Sequence, residues 1–194
     1  MYLEGFQTTI MVGGPSAGLE TDFRPHFFPG VATVVAKLLL AGLPDRAYFG
    51  EKDFQQLLVV KKLVRDLNIP TEIVGCPTVR EADGLALSSR NAYLDAAGRR
   101  SAVALSRSLQ AAVDLYRSGE REGAALAAAA RAVLDAEPGL ATDYAACIDP
   151  ATFAPAARAS HACVVAVAAR LGATRLIDNV VLGEGLEGDD RLAG

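Results

Sequence analysis

Three features of the 194-residue chain predict an α/β fold: a partial Rossmann-like parallel sheet, followed by a smaller α+β domain with helices and a three-stranded antiparallel sheet. Short apolar runs alternate with segments of helical period as far as residue 74, an order that builds parallel sheets. The character changes after Cys76-Pro77, where a polar stretch leads into two long helical patterns. Three β-like runs then close the chain, which places a boundary near residue 79.

Taken in order, residues 6–12 (FQTTIMV) form a β-rich run closed by Gly13-Gly14, and the spacing predicts a strand. Residues 14–30 mix Gly, Pro and aromatics without a period and read as a loop. Residues 31–40 are mostly apolar and predict a buried helix stopped by Gly42 and Pro44. Residues 47–49 make a brief strand ending at Gly50. The clearest helix spans 51–67, with Leu57, Val60, Val64 and Leu67 as its apolar stripe. Asn68 and Pro70 end it, and 71–74 follow as a strand. Residues 77–92 are polar, with a turn at Asp83-Gly84. Helices are expected over 95–118 and over the alanine-rich 120–137, and strands over 142–148, 163–169 and 174–180.

With 51% hydrophobic and 22% charged residues, the composition is that of a folded chain with a sizeable core. A net charge of −4 without a Lys/Arg cluster argues against a nucleic-acid partner. The longest apolar candidate, 31–43, falls short of the ~20 residues a membrane span needs and is interrupted by Lys37. Met1 leads directly into Tyr-Leu-Glu, so no secretory signal is expected. Cys76, Cys147 and Cys163 are too few and dispersed for a disulfide framework or a zinc site, and Cys76 and Cys163 read as buried thiols. His26 and His161 read as structural, and no metal ligands are expected. The expected setting is the cytoplasm.

Two constellations carry chemistry. Gly50, Glu51, Lys52 and Asp53 close a strand and open a helix, where unsatisfied N–H groups and the helix dipole favour anions. Lys52 adds a point charge suited to phosphate, and Asp53, Gln56 and Val60 share the stripe that faces the sheet. The same turn also reads as a solvated helix start, with Gln56 merely bonding a nearby loop. Leu87, Ser88, Ser89, Arg90 and Asn91 offer two hydroxyls, a guanidinium fork and backbone donors to a triphosphate, or else an ordinary N-cap. Both segments are expected to converge on one nucleotide across the domain boundary.

The strings FGEKDFQQ (49–56), Arg65-Asp66-Leu67, IVGCPTVRE (73–81) and DGLALSSRN (83–91) closely resemble the pantothenate synthetases, the pantoate–beta-alanine ligases. YLEGFQTT (2–9) is also similar, and the resemblance runs from the start to about Leu182. It implies that residues 1–78 are the second half of a Rossmann-like nucleotide-binding domain and 79–194 a C-terminal α+β lid domain. It further implies an ATP-dependent, AMP-forming ligase that joins pantoate and beta-alanine through a pantoyl adenylate, with Mg²⁺ on the triphosphate. By the same resemblance, Gly50, Glu51, Lys52 and Asp53 would contact ATP, Val79 would meet adenine through its backbone, and Leu87, Ser88, Ser89 and Arg90 would cover the phosphates. Lys52, Ser88, Ser89 and Arg90 would be the catalytic groups and Gln56 would bind pantoate. A homodimer through the first domain is implied, with Phe23, Phe27 and Phe28 as a candidate contact or, alternatively, as residues folded onto their own helix.

Departures accompany the match. The family carries an upstream half with a His-x-Gly-His signature and a second pantoate-binding Gln, and this sequence aligns beyond it. The chain is therefore expected to be a C-terminal portion, catalytic only with that half or else a non-catalytic partner subunit. Phe27 stands where the family has His, and Leu3 where it has Pro.

Overall fold

A computed structural model of the chain describes residues 1–186. The chain divides into two compact units, Met1–Cys76 and Pro77 onward.

In the first unit, α1 (Glu20–Phe23) and α2 (Phe27–Gly42) precede β1 (Arg46–Gly50), α3 (Phe54–Asp66) and β2 (Glu72–Cys76). β1 and β2 pair in parallel, with Arg46 opposite Glu72 and Gly50 opposite Cys76, so both carboxyl ends finish side by side. Helices cover this parallel pair as in an α/β layer: Val60, Leu63 and Val64 of α3 are buried with Ala32, Val35, Ala36 and Leu39 of α2. Residues 6–12 are not a strand. Their backbone turns to α2 instead, where the Ile10 N–H donates to Thr33 Oγ1 (2.9 Å) and Thr33 Oγ1 in turn donates to the Pro29 carbonyl (2.7 Å). Ile10 and Val12 still pack on the α2–α3 core, so the apolar signal was sound while strand pairing was missing. Lys37 lies over the rings of Phe6 (4.6 Å) and Tyr2 (5.7 Å), laying the N-terminal segment along α2.

α2 begins four residues before the expected start and takes Gly42 as its last residue. The left-handed cap falls on Leu43 (φ 44°), whose N–H bonds the Leu39 carbonyl. Phe28 is 2% exposed and belongs to the core, which removes it from the candidate dimer contact. The ring of Phe27 is covered by the Arg24 guanidinium at 3.9 Å. Leu67 is exposed rather than part of the α3 stripe, and Val59 and Leu63 are buried in its place.

The second unit holds α4 (Ala96–Ala102), α5 (Ala104–Arg117), α6 (Gly123–Asp135), β3 (Leu140–Ile148), β4 (Val164–Leu171) and β5 (Thr174–Val181). The expected helix over 95–118 is thus two, broken at Val103, where ψ flattens to −17°. β3, β4 and β5 form an antiparallel sheet in that order. Its inner face carries Val165, Val167, Ala169, Leu176 and Val180 against Leu105, Leu109, Leu126 and Leu134 of the helices. Cys147 and Cys163 are buried here, and burial, with Cys163 adding to it, pushes the Cys147 thiol up to about 12. Cys76 is only half-buried, because it ends β2 rather than lying within the apolar run. Among the described residues no helix is long and apolar enough to cross a membrane.

Candidate functional site

The site residues of the first unit sit where β1 stops. Gly50 is the extended residue (φ −66°, ψ 134°) before a 3-10 turn, Glu51–Asp53, that leads straight into α3. Gly50 is exposed and Glu51, Lys52, Asp53 and Gln56 are half-buried. Glu51 does not point away as a solvated first turn would. A Cβ on Gly75 would lie 2.7 Å from Glu51 Oε1 and 3.2 Å from Leu57 Cδ2, so the Glu51 side chain folds over the carboxyl end of β2. The turn therefore packs on the strand ends, and Lys52 follows the residue that anchors it.

The buried glutamine of α3 is Gln55, 7% exposed, and sequence reasoning missed it. Its Nε2 donates to the carbonyls of Pro15 (2.9 Å) and Gly18 (3.2 Å), and its Oε1 accepts from the Glu20 N–H (3.1 Å). One side chain thus satisfies a loop containing two left-handed glycines, Gly14 and Gly18, and a left-handed Leu19 (φ 47°). Its neighbour Gln56 is half-buried. Gln55→Ala is expected to cost about 1–3 kcal/mol, because buried carbonyls and an N–H lose their partner, whereas Gln56→Ala should stay within about 0.5 kcal/mol. Urea unfolding of the two variants measures this difference.

In the second unit, residues 79–87 form a small hairpin. Arg80 bridges Ala86, the Glu81 N–H donates to the Leu85 carbonyl (2.9 Å), and the Leu87 N–H donates to the Val79 carbonyl (2.8 Å). This brings Val79 and Leu87 together at the open end, both exposed, while Leu85 and Ala86 are buried beneath. Asp83 and Gly84 (φ 87°) make the expected turn, and the Leu85 N–H bonds Asp83 Oδ1 at 3.1 Å. A 3-10 turn, Ser89–Tyr93, follows directly, and the Ser88 hydroxyl accepts from the Arg90 N–H at 3.3 Å. Ser88 is therefore a real N-cap, and Ser89 and Arg90 stand exposed beyond it.

Two ion-paired groups fix this hairpin. Arg80 forks onto Asp178 of β5, with Nη1 to Oδ2 at 2.7 Å and Nη2 to Oδ1 at 3.1 Å. Arg99 of α4 reaches both Glu81 oxygens (3.1 and 2.8 Å) and Asp83 Oδ2 (3.1 and 2.9 Å). The Arg99 hydrogen bonds, helped by the Asn91 amide, hold the Glu81 carboxyl below the usual carboxylate range. The Leu85 N–H, then Arg99, does the same for Asp83. Among the described residues no group of three or more His, Cys, Asp or Glu is placed to hold a metal.

The family model of pantoate-beta-alanine ligase matches residues 1–181. The chain belongs to this family. Pantothenate synthetase of Roseiflexus castenholzii is 50% identical over 182 residues, which are 94% of this chain and 66% of that protein. The Mesorhizobium japonicum pantothenate synthetase is 54% identical over 180 residues, 93% of this chain and 63% of the relative. Among solved structures, pantothenate synthetase from Thermus thermophilus superposes with a TM-score of 0.89 at 48% identity, covering 94% of this chain and 66% of that one. A Francisella tularensis pantoate-beta-alanine ligase, solved with beta-gamma ATP and beta-alanine, matches with a TM-score of 0.66 at 28% identity over 94% of this chain and 61% of its own. The chain thus spans just under two thirds of the length of these pantoate-beta-alanine ligases.

Proposed function

We propose that this chain works in the ATP-dependent condensation of pantoate with beta-alanine to pantothenate, the coenzyme A precursor, through a pantoyl adenylate. The observation that carries the reading is the Gly50–Asp53 turn at the carboxyl end of a parallel strand, in a chain that matches the ligase family over residues 1–181. The Francisella ligase, whose crystals hold an ATP and beta-alanine, supports the choice of ligands.

In the first step a carboxylate oxygen of pantoate attacks the α-phosphorus of ATP, and pyrophosphate leaves with the electron pair of the broken P–O bond. The unprotonated amine of beta-alanine then attacks the acyl carbon, AMP departs, and the new amide nitrogen releases a proton. Little covalent work falls to the protein. Its contribution is orientation and stabilisation of the charge that gathers on the phosphates. Lys52 supplies a point charge there, the Ser88 and Ser89 hydroxyls and the Arg90 fork supply donors, and backbone groups of Gly50, Glu51, Asp53 and Leu87 line the nucleotide. Val79 meets adenine through its backbone, and the Gln56 amide hydrogen-bonds pantoate. Mg²⁺ enters with the nucleotide as part of the substrate, its ligands chiefly phosphate oxygens and water. The protein acts in the cytoplasm as a homodimer through the first unit, where Phe23 remains exposed.

Calorimetry with MgATP tests the reading. The wild-type chain is expected to bind, and Lys52→Ala to weaken binding by about tenfold or more, the worth of one well-placed charge. A wild-type chain that binds neither ATP nor pantoate overturns it. A parallel assay of pantothenate formation separates full ligation from nucleotide binding alone.

A further inference from the structure

We infer that Asn91, held through Glu81 by Arg99, is a positioning residue that presets the Ser88–Arg90 segment for the nucleotide. The inference deepens the reading above and rests on it. Asn91 lies one residue beyond Arg90 within the Ser89–Tyr93 turn, yet its side chain reaches back to the hairpin. One amide N–H donates to Glu81 Oε1 (2.9 Å) and the other to the Ala86 carbonyl (3.1 Å). Its backbone N–H meanwhile donates to the Ser88 carbonyl at 3.0 Å. Ser88, Ser89 and Arg90 are thus a short strap whose two ends are tied to one platform: Leu87 pairs with Val79 on one side, and Asn91 returns to Ala86 and Glu81 on the other.

The platform is itself braced. Arg99 grips both oxygens of Glu81, so the carboxylate that receives Asn91 cannot swing away without breaking two charge-assisted bonds. Two donated bonds do not by themselves account for the asparagine. Its Oδ1 is buried with no hydrogen-bond partner among the described residues, and an orphaned acceptor is a cost that a small apolar side chain would avoid. A residue that breaks this local rule makes sense for what it holds in place, and what it holds is the strap. Ordering these three residues before ATP arrives removes that entropy cost from binding.

Hydrogen exchange and ATP calorimetry on the full chain test the inference together, using Asn91→Ala and Arg99→Ala, with Arg107→Ala on α5 as a control outside the site. Exchange of amides 88–94 is expected to rise about tenfold in both variants, exchange in β3, β4 and β5 to stay as in wild type, and ATP affinity to fall about tenfold. The thermal midpoint of Asn91→Ala is expected to fall by roughly 5 °C, since the Ala86 carbonyl and Glu81 lose a donor, and Arg107→Ala to leave exchange over 88–94 and ATP affinity as in wild type. Unaltered exchange over 88–94 overturns the inference. So does faster exchange with undiminished ATP affinity, and so does faster exchange throughout the unit, which would make the role purely structural. A wild-type chain that binds no ATP overturns the nucleotide reading and the positioning role with it; intact ATP binding with unaltered exchange over 88–94 sinks the positioning role alone.

Discussion

Asp178→Ala is expected to cost the second unit about 3–5 kcal/mol, because it takes a bidentate carboxylate away from a buried guanidinium. The Asp178 side chain is 1% exposed and that of Arg80 11%. Asp178 takes both arms of the Arg80 fork and also accepts the Asn179 N–H at 2.8 Å, so its removal breaks three bonds at once. The Arg80 guanidinium also donates to the Gly84 and Asn179 carbonyls, at 3.2 and 3.4 Å, and a carbonyl carries no full charge. Urea unfolding should show a lower midpoint with an unchanged slope. The double variant R80M/D178L, which removes both charges and fills the space, should recover most of the loss. A single-variant loss below about 1 kcal/mol would mean that the pair is hydrated and structurally incidental.

Gly123→Ala should also destabilise, against the usual trend. In an ordinary helix this change gains about 1 kcal/mol, since alanine is the better helix former. Gly123 opens α6, where the segment before β4 crosses it: the Gly123 N–H donates to the Ala157 carbonyl (3.2 Å) and Glu122 bridges Arg158. A Cβ would fall well inside contact distance of the Ala156 carbonyl oxygen and 2.9 Å from its carbon, and these backbone atoms cannot rotate aside. Ala156 is pinned in turn by its N–H to the Cys147 carbonyl at 2.9 Å. Overpacking of this kind costs about 1–3 kcal/mol or more, so the net sign should be a loss. Thermal unfolding decides it, and a stabilised variant would show that the segment yields.

Much of the fold could be read from residue patterns, and the limits are physical. β1, α3, β2 and the three closing strands follow from local periodicity and turn residues, which is why their expected and observed bounds differ by only a few positions. Residues 6–12 had the right composition for a strand, but a strand exists only through a partner, and these residues bond the Thr33 hydroxyl instead. The choice between Gln55 and Gln56 was hidden for a subtler reason. Asp53 lies in a 3-10 turn and Gln56 in the α-helix, and three residues wound at about 120° rather than about 100° each rotate the stripe by roughly 60°. A period carried through from Asp53 therefore puts Gln56 on the buried stripe, where the structure has Gln55. The candidate residues at Gly50–Asp53 and Leu87–Arg90 stood out through their motifs. Their supports, Arg80 with Asp178 and Arg99 with Glu81, join distant parts of the chain and leave no local signature.

The tie between Arg80 and Asp178 spans 98 positions, and it gives the second unit a temporal order. During synthesis the hairpin leaves the ribosome long before β5 exists, so its guanidinium must wait in water until β5 is made. Closing so long a loop is slow, and every intermediate on the way lacks the anchor. The serine–arginine strap thus belongs among the late-maturing parts of the second unit, shaped only once β5 has been made.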